Sequence, residues 1–203
     1  LMKINVPYIS QMPKWPTGCE SVSTVMLLNY YGINISVDEF ITYLPCSPLI
    51  KSDGQWYGYS PNNNFIGSPY DSDSFGCYSN VIASTINNIV KDKQLSIYSV
   101  DISSLTTNEI ISRYIMNGHP VLYWSTIDLK PSFYGPSWKL LDYNNKDFTW
   151  ISNEHCLVLV GADENGLWFN DPWNNNGIVL HPKPLVEQRH KEMLSMALAI
   201  APK

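Results

Sequence analysis

A cysteine at position 19 follows Thr17-Gly18 and opens a run in which Val22, Val25, Met26 and Asn29-Tyr30 recur at helical spacing until Gly32. That spacing predicts Cys19 at the first turn of a helix. Unpaired backbone N–H groups and the positive end of the helix dipole favour a thiolate there. A small buried hydrophobe is the other reading open to any free cysteine. A nucleophilic thiol needs a base, and histidine is the usual one. His181 and His190 stand in polar surroundings near the C-terminus and are expected at the surface, while His119 lies in a Gly-His-Pro turn with no acid after it. His155 heads the apolar run His155-Cys-Leu-Val-Leu-Val-Gly161, and Asp171 ends the next run, Leu167-Trp-Phe-Asn-Asp171.

The register between those two runs decides whether an acid meets the ring. A turn at Asn165-Gly166 would pair His155 with Asn176. A loop from Gly161 to Gly166 would pair Val160 with Leu167 and set His155 opposite Pro172, with Asp171 as its cross-strand neighbour. A carboxylate in that position orients an imidazole. Cys156 would point to the opposite face from His155 and serve the core. Gln11, in a loop stiffened by Pro13 and Pro16, could reach forward. Its amide N–H and the backbone N–H of Cys19 would then hold an oxyanion formed in acyl transfer. A solvated loop glutamine is the alternative.

The elements that must position these groups follow from pattern. Lys3 to Ile9 reads as a short edge strand containing Pro7. Ser36-Val-Asp-Glu39 and Thr106-Thr-Asn-Glu109 are capping boxes opening short helices. Residues 78–93 form an amphipathic helix with Val81, Ile82, Thr85, Ile86, Ile89 and Val90 on one face. Strands are expected at 95–100, 120–127, 155–161, 167–171, 177–180 and 196–200, with a helix from about Pro184 to Ser195. Helices early and strands late suggest an α+β fold with a mostly antiparallel sheet. Residues 44–76 and 128–151 read as long ordered loops, and a loop that long is usually functional. Trp56 and Tyr57 in the first, with Trp124 and Trp173 nearer the histidine strands, are the candidates for substrate contacts. A satellite core under the loop is the other reading for the loop aromatics. Asp71-Ser-Asp73 lacks the rest of a calcium loop and reads as a solvated turn.

The chain has 203 residues, enough for one domain with a full core. Lys and Arg total 13 against 18 Asp and Glu, a formal charge of -5. That argues against nucleic acid or an anionic membrane surface as the main partner. No apolar run reaches membrane-spanning length. The four cysteines, Cys19, Cys46, Cys77 and Cys156, show no paired spacing, so no metal site is expected. Cys46 and Cys77 both fall in loop-like sequence, where a disulfide or two free thiols remain open.

Gln11 before Gly18-Cys19-Glu20 at a helix start, then His155-Cys-Leu-Val-Leu-Val-Gly161 and Asn170-Asp171-Pro172, resembles the papain-like cysteine peptidases. The pattern looks closest to the bacterial C-thirty-nine-like peptidases, relatives of the double-glycine leader peptidases of bacteriocin exporters. Val6-Pro7-Tyr8-Ile9-Ser10, Leu28-Asn29-Tyr30-Tyr31-Gly32 and Gly118-His-Pro-Val-Leu-Tyr-Trp124 also look like that branch. The resemblance implies a single papain-like domain over residues 1–203, with Cys19 as nucleophile, His155 as base, Asp171 as orienting acid and Gln11 as oxyanion donor. It implies no metal or organic cofactor and a peptide or protein substrate. Two departures bear on substrate identity: the wide Gln11-to-Cys19 spacing and the long 44–76 segment. The same constellation could run transglutaminase-like acyl transfer or cleave a cell-wall peptide, and a non-catalytic peptide-binding module is a third reading. A low-lysine, Asn/Tyr/Ser-rich surface leans towards an extracellular or cell-envelope setting.

Overall fold

The computed structural model describes residues 3–203. Helix α1 (Cys19–Tyr30) begins at the nucleophile candidate, with Gly18 as its N-cap. Gly18 is fixed by packing, because a Cβ there would lie 2.9 Å from the Trp15 Cβ and 3.2 Å from the Pro69 Cβ. Gly32 adopts φ +78 just past the helix end, the left-handed conformation glycine tolerates. Val22, Val25, Met26, Leu27 and Leu28 are all but fully buried. At about 1.5–3 kcal/mol for each large apolar side chain, this burial outweighs the weak intrinsic stability of an isolated helix of that length.

Helix α2 (Val37–Tyr43) follows, with the Ser36 side chain accepting from the Glu39 N–H. Only half of that expected capping box forms, since Glu39 pairs with Lys93 instead. The expected loop 44–76 carries four short strands: β1 (Cys46–Ser47), β2 (Ile50–Ser52), β3 (Gln55–Gly58) and β4 (Phe65–Ile66). Next come α3 (Ser79–Asp92), β5 (Ile97–Asp101) and α4 (Thr107–Arg113), where the Thr106–Glu109 capping box is complete. Then follow β6 (Val121–Thr126), β7 (Phe133–Leu140), β8 (Lys146–Ser152), β9 (Glu154–Asp163), β10 (Gly166–Asp171), β11 (Gly177–His181), α5 (Lys183–Glu192) and β12 (Ala197–Pro202). The second expected loop, 128–151, is therefore largely the β7–β8 hairpin. The expected edge strand at 3–9 reduces to a single bridge between Lys3 and Gly161.

The main sheet has the order β11-β10-β9-β6-β12-β5, with every pairing antiparallel. A second sheet, β2-β3-β7-β8, joins the two segments expected to be loops. All six residues of β6 are buried, so both faces of the main sheet are covered there. Tyr123 stacks on His190 of α5 at 3.8 Å between ring centroids, while the next residue, Trp124, donates its indole N–H to the Cys77 carbonyl ahead of α3. Successive side chains in a strand face opposite ways, which places α5 on one face and the α3 end on the other. Among the described residues no helix is long and apolar enough to cross a membrane.

His190, expected at the surface, is 4% exposed. Its Nδ1 donates to the Trp124 carbonyl at 2.7 Å. Burial lowers its pKa from the ordinary value to about 4. Between that value and 6.5 the unfolded chain binds a proton that the native state refuses. Stability should therefore rise with pH across this window and be lost as pH falls through it, by about 3 kcal/mol from this group. Denaturant unfolding of the native chain and of His190→Phe at pH 7 and pH 4 checks this. Between pH 7 and pH 4 the native chain should lose about 3 kcal/mol more than the variant, because the phenyl ring has no proton to take up.

Candidate active site

His155 and Asp171 meet. The ring Nε2 lies 2.6 Å from Asp171 Oδ1, and the two residues are 1% and 2% exposed. The register that brings them together differs from the one the pattern suggests. Leu167 pairs with Ala162 rather than Val160, and a bulge between Trp168 and Phe169 then sets Phe169 against Leu159 and Asn170 against Val158. Continued by one residue, this places Asp171 opposite Leu157, two positions from His155 and so on its face. The expected pairing of His155 with Pro172 would have put Asp171 opposite Cys156, on the other face. The bulge corrects the side on which the carboxylate emerges.

Asp171 is held from several directions. Its Oδ1 also accepts from the Trp173 N–H at 2.9 Å, and Oδ2 accepts from the Asn176 amide at 3.0 Å. The Tyr8 hydroxyl donates to its carbonyl at 2.6 Å. Burial pushes its carboxyl pKa up, but the His155 charge and these donors more than compensate and hold it below the usual value. Asn176 was not among the expected site residues, although an Asn-rich turn right after an Asp-Pro offered the signal.

Cys19 sits at the start of α1, where its backbone N–H has no partner within the helix. It lines a cavity of about 250 Å³ together with Gln11, His155 and Trp173. Phe75 and Trp150 form the aromatic wall; neither was among the expected substrate contacts. Gln11 is 2% exposed, and its Nε2 donates to the Pro16 carbonyl at 2.9 Å. That uses one of the two amide hydrogens. The Gln11 backbone N–H is fixed by the Pro172 carbonyl at 2.9 Å, which ties this loop to the end of β10.

The other expected contacts scatter. Trp173 lines the cavity. Trp56 lines an adjoining groove of about 400 Å³, which shares Ser74 and Phe75 with the cavity. Tyr57 is half-buried and engaged in the small sheet opposite Ile50 and Lys139. Trp124 is fully buried in β6 and lines neither space. Cys156 is fully buried. Cys46 and Cys77 are both free thiols, so the disulfide considered for them does not form. At Asp71 the carboxylate accepts from the Asp73 N–H at 3.0 Å, an ordinary solvated turn. His119 hydrogen-bonds through Nδ1 to the Tyr31 hydroxyl at 3.2 Å, and His181 is half-buried in β11.

The thiol itself is placed unexpectedly. Cys19 Sγ donates to Glu20 Oε2 at 3.3 Å, and no hydrogen bond among the described residues joins it to His155. Burial, then the neighbouring carboxyls of Glu20 and Glu154, push the Cys19 pKa well up. Cys19, Glu20 and Glu154 bring one side-chain atom each within 4.8 Å of one another. A thiol hydrogen-bonded to a carboxyl is the arrangement of a group that keeps its proton.

A family model described as the Peptidase_C39 like family matches residues 3–193. The chain is 26% identical over 190 residues to an uncharacterized protein, YvpB, of Bacillus subtilis strain 168, covering 93% of this chain and 70% of that one. It superposes with a TM-score of 0.82 on the crystal structure of a protein described as a C39-like peptidase from Bacillus anthracis, at 26% identity over 100% of this chain and 99% of the other. A double-glycine motif protease from an AMS/PCAT transporter, solved with a leader peptide, shares the fold with a TM-score of 0.51 at 15% identity, over 99% of this chain and 94% of that one. With the family match spanning most of its length and a C39-like peptidase fold around the cavity at Cys19, the chain belongs to the Peptidase_C39 like family, whose type of function is that of a peptidase.

Proposed function

We propose that this protein is a cysteine peptidase that hydrolyses peptide bonds through Cys19, His155 and Asp171, with Gln11 as oxyanion donor. The observation that carries the reading is the convergence of Cys19, Gln11 and the Asp171-anchored His155 on one cavity. Asp171 occupies Nε2 of the ring, which leaves Nδ1 to exchange a proton with the thiol. The thiolate attacks the substrate carbonyl carbon. The second amide hydrogen of Gln11 and the Cys19 backbone N–H then hold the oxygen as it becomes negative. The imidazolium gives its proton to the leaving amine, and the C–N bond breaks. Water, deprotonated by the same ring, cleaves the resulting thioester and frees the acid.

A peptide chain leaving this cavity past Ser74 and Phe75 enters the groove that Trp56 lines. The groove's apolar wall, made by Leu49, Trp56 and Phe75, suits an apolar or aromatic side chain of the substrate. Cleavage of a peptide library, with Cys19→Ala as control, tests the reading. Hydrolysis by the native chain and none by the variant is expected. Equal cleavage by both would remove Cys19 from the chemistry. A product carrying an added amine in place of the free acid would make the enzyme an acyl transferase.

A further inference from the structure

The strand position before His155 and the helix position after Cys19 both carry glutamate, and the fold buries the two together. Glu20 is 0% and Glu154 7% exposed. They pack so closely beside Gly76 that a Cβ on that glycine would lie 2.5 Å from Glu20 Oε1 and 2.6 Å from Glu154 Oε2. Each carboxyl is in hydrogen-bonding reach of the other. No ion pair among the described residues includes either one. Two carboxyls buried side by side, with no basic side chain among the described residues paired to either, favour a shared proton over two charges.

The surroundings say which of the two carries it. Glu20 lies in the first turn of α1, where the helix dipole favours negative charge. Its Oε1 accepts the Cys77 N–H at 2.8 Å and its Oε2 accepts the Cys19 thiol at 3.3 Å. Glu154 is less supported: burial and Glu20 push its pKa up more strongly than the Trp124 indole pulls it down, and its buried Oε1 has no partner among the described residues. An orphaned oxygen is costly on a carboxylate and far less so on a neutral acid. Burial first, then the neighbouring Glu20, pushes the Glu154 pKa well up, while Glu20 is raised by burial against the pull of the Cys77 N–H.

We propose that Glu154 stays protonated and donates to an ionised Glu20, and that this pair holds the Cys19 thiol in a parked position, setting the pH at which Cys19 becomes a nucleophile. Glu20 and Glu154 are positioning residues in this scheme, acting through Cys19. The inference rests on the peptidase reading only in taking Cys19 as the reacting thiol. The other titratable groups facing the pair are Cys156 on β9, Cys77 and Tyr78 ahead of α3, and Cys46 on β1, all neutral near pH 7. His155 lines the same cavity and is the remaining group that can take the thiol's proton. Because β9 begins at Glu154, residues from both of its faces reach this space.

The test is the pH profile of Cys19 alkylation by iodoacetamide, followed by mass spectrometry on the intact chain. Glu20→Gln removes the charge beside the sulfur. Its profile should move to lower pH by about one unit or more, so that labelling on the rising limb is about tenfold faster than in the native chain. Glu154→Gln supplies an amide donor in place of the acid and leaves Glu20 charged. The midpoint of its profile should stay in place whatever happens to the rate. A shift in Glu154→Gln with none in Glu20→Gln overturns the assignment, and so does the absence of a shift in both. Should a variant fail to fold, isotope-edited infrared spectra of the native chain with labelled glutamate decide. A protonated carboxyl band at pH 7 is expected, and its absence overturns the proposal. Neither measurement needs a substrate, so a failure here is distinct from a failure to cleave peptides.

Discussion

Replacing His155 with alanine should reduce peptide hydrolysis by about a thousandfold or more, and slow alkylation of Cys19 at neutral pH as well. Burial and two nearby carboxyls raise the Cys19 pKa, so the sulfur has no means of ionising on its own near pH 7. The helix N-terminus opposes this but does not outweigh it. Only a base able to receive the proton, and to keep its positive charge beside the sulfur, can make the thiolate. His155, held by Asp171 at 2.6 Å, is that group in the proposed mechanism. Alanine also removes the donor for the leaving amine, so both halves of the reaction suffer. Equal iodoacetamide rates for native and His155→Ala proteins would count strongly against activation by this ring. Loss of labelling in His119→Ala instead would move the base to a residue that in this structure bonds Tyr31.

Asp171→Asn carries the second large effect, a fall in kcat of about a thousandfold or more with little change in fold. The carboxylate accepts at Oδ1 from the ring and from the Trp173 N–H, and at Oδ2 from the Asn176 amide. An asparagine can keep the Trp173 bond only by presenting its oxygen there. Its NH2 must then face the Asn176 amide, donor against donor. If the side chain flips to relieve that clash, its NH2 faces the ring and makes Nε2 the acceptor. The proton then sits on Nδ1, and the ring can no longer take one from the thiol there. Either outcome also removes the negative charge that stabilises the imidazolium. Steady-state kinetics with circular dichroism of both proteins distinguishes this from unfolding. A variant with native kcat would show that the ring needs no orienting acid. Asp171 holds its charge to below the usual carboxylate pH, so loss of activity in acid should not originate from this residue.

Much of the site could be read from the chain because its parts are local. Gly18-Cys19 at a helix start, the apolar run from His155 and the Asp171-Pro172 stop each depend on neighbours in sequence. The mostly antiparallel sheet followed from the order of elements, helices early and strands late. Other parts depend on pairing at a distance. The β7–β8 hairpin was hidden because Gly135-Pro136 breaks its alternation, and the register shifts there between Tyr134 and Ser137. His190 looks polar by its neighbours, yet its ring closes over Tyr123 in the core. Trp124 looks like a groove residue only until β6 is known to be covered on both faces.

The order of the chain alone determined which groups could react and which segments carry them: a thiol at a helix start, an imidazole and a carboxylate at strand ends, an amide in a stiff loop. Those are consequences of backbone preference and side-chain chemistry, which act over a few residues. Only the folded structure decided the face on which Asp171 emerges, through a bulge between two apolar residues that no pattern distinguishes. Only the fold, too, brought Glu20 and Glu154 beside the sulfur. Cross-strand register and helix-to-sheet packing are set by the sum of many contacts between distant residues, and no local stretch of sequence contains that sum.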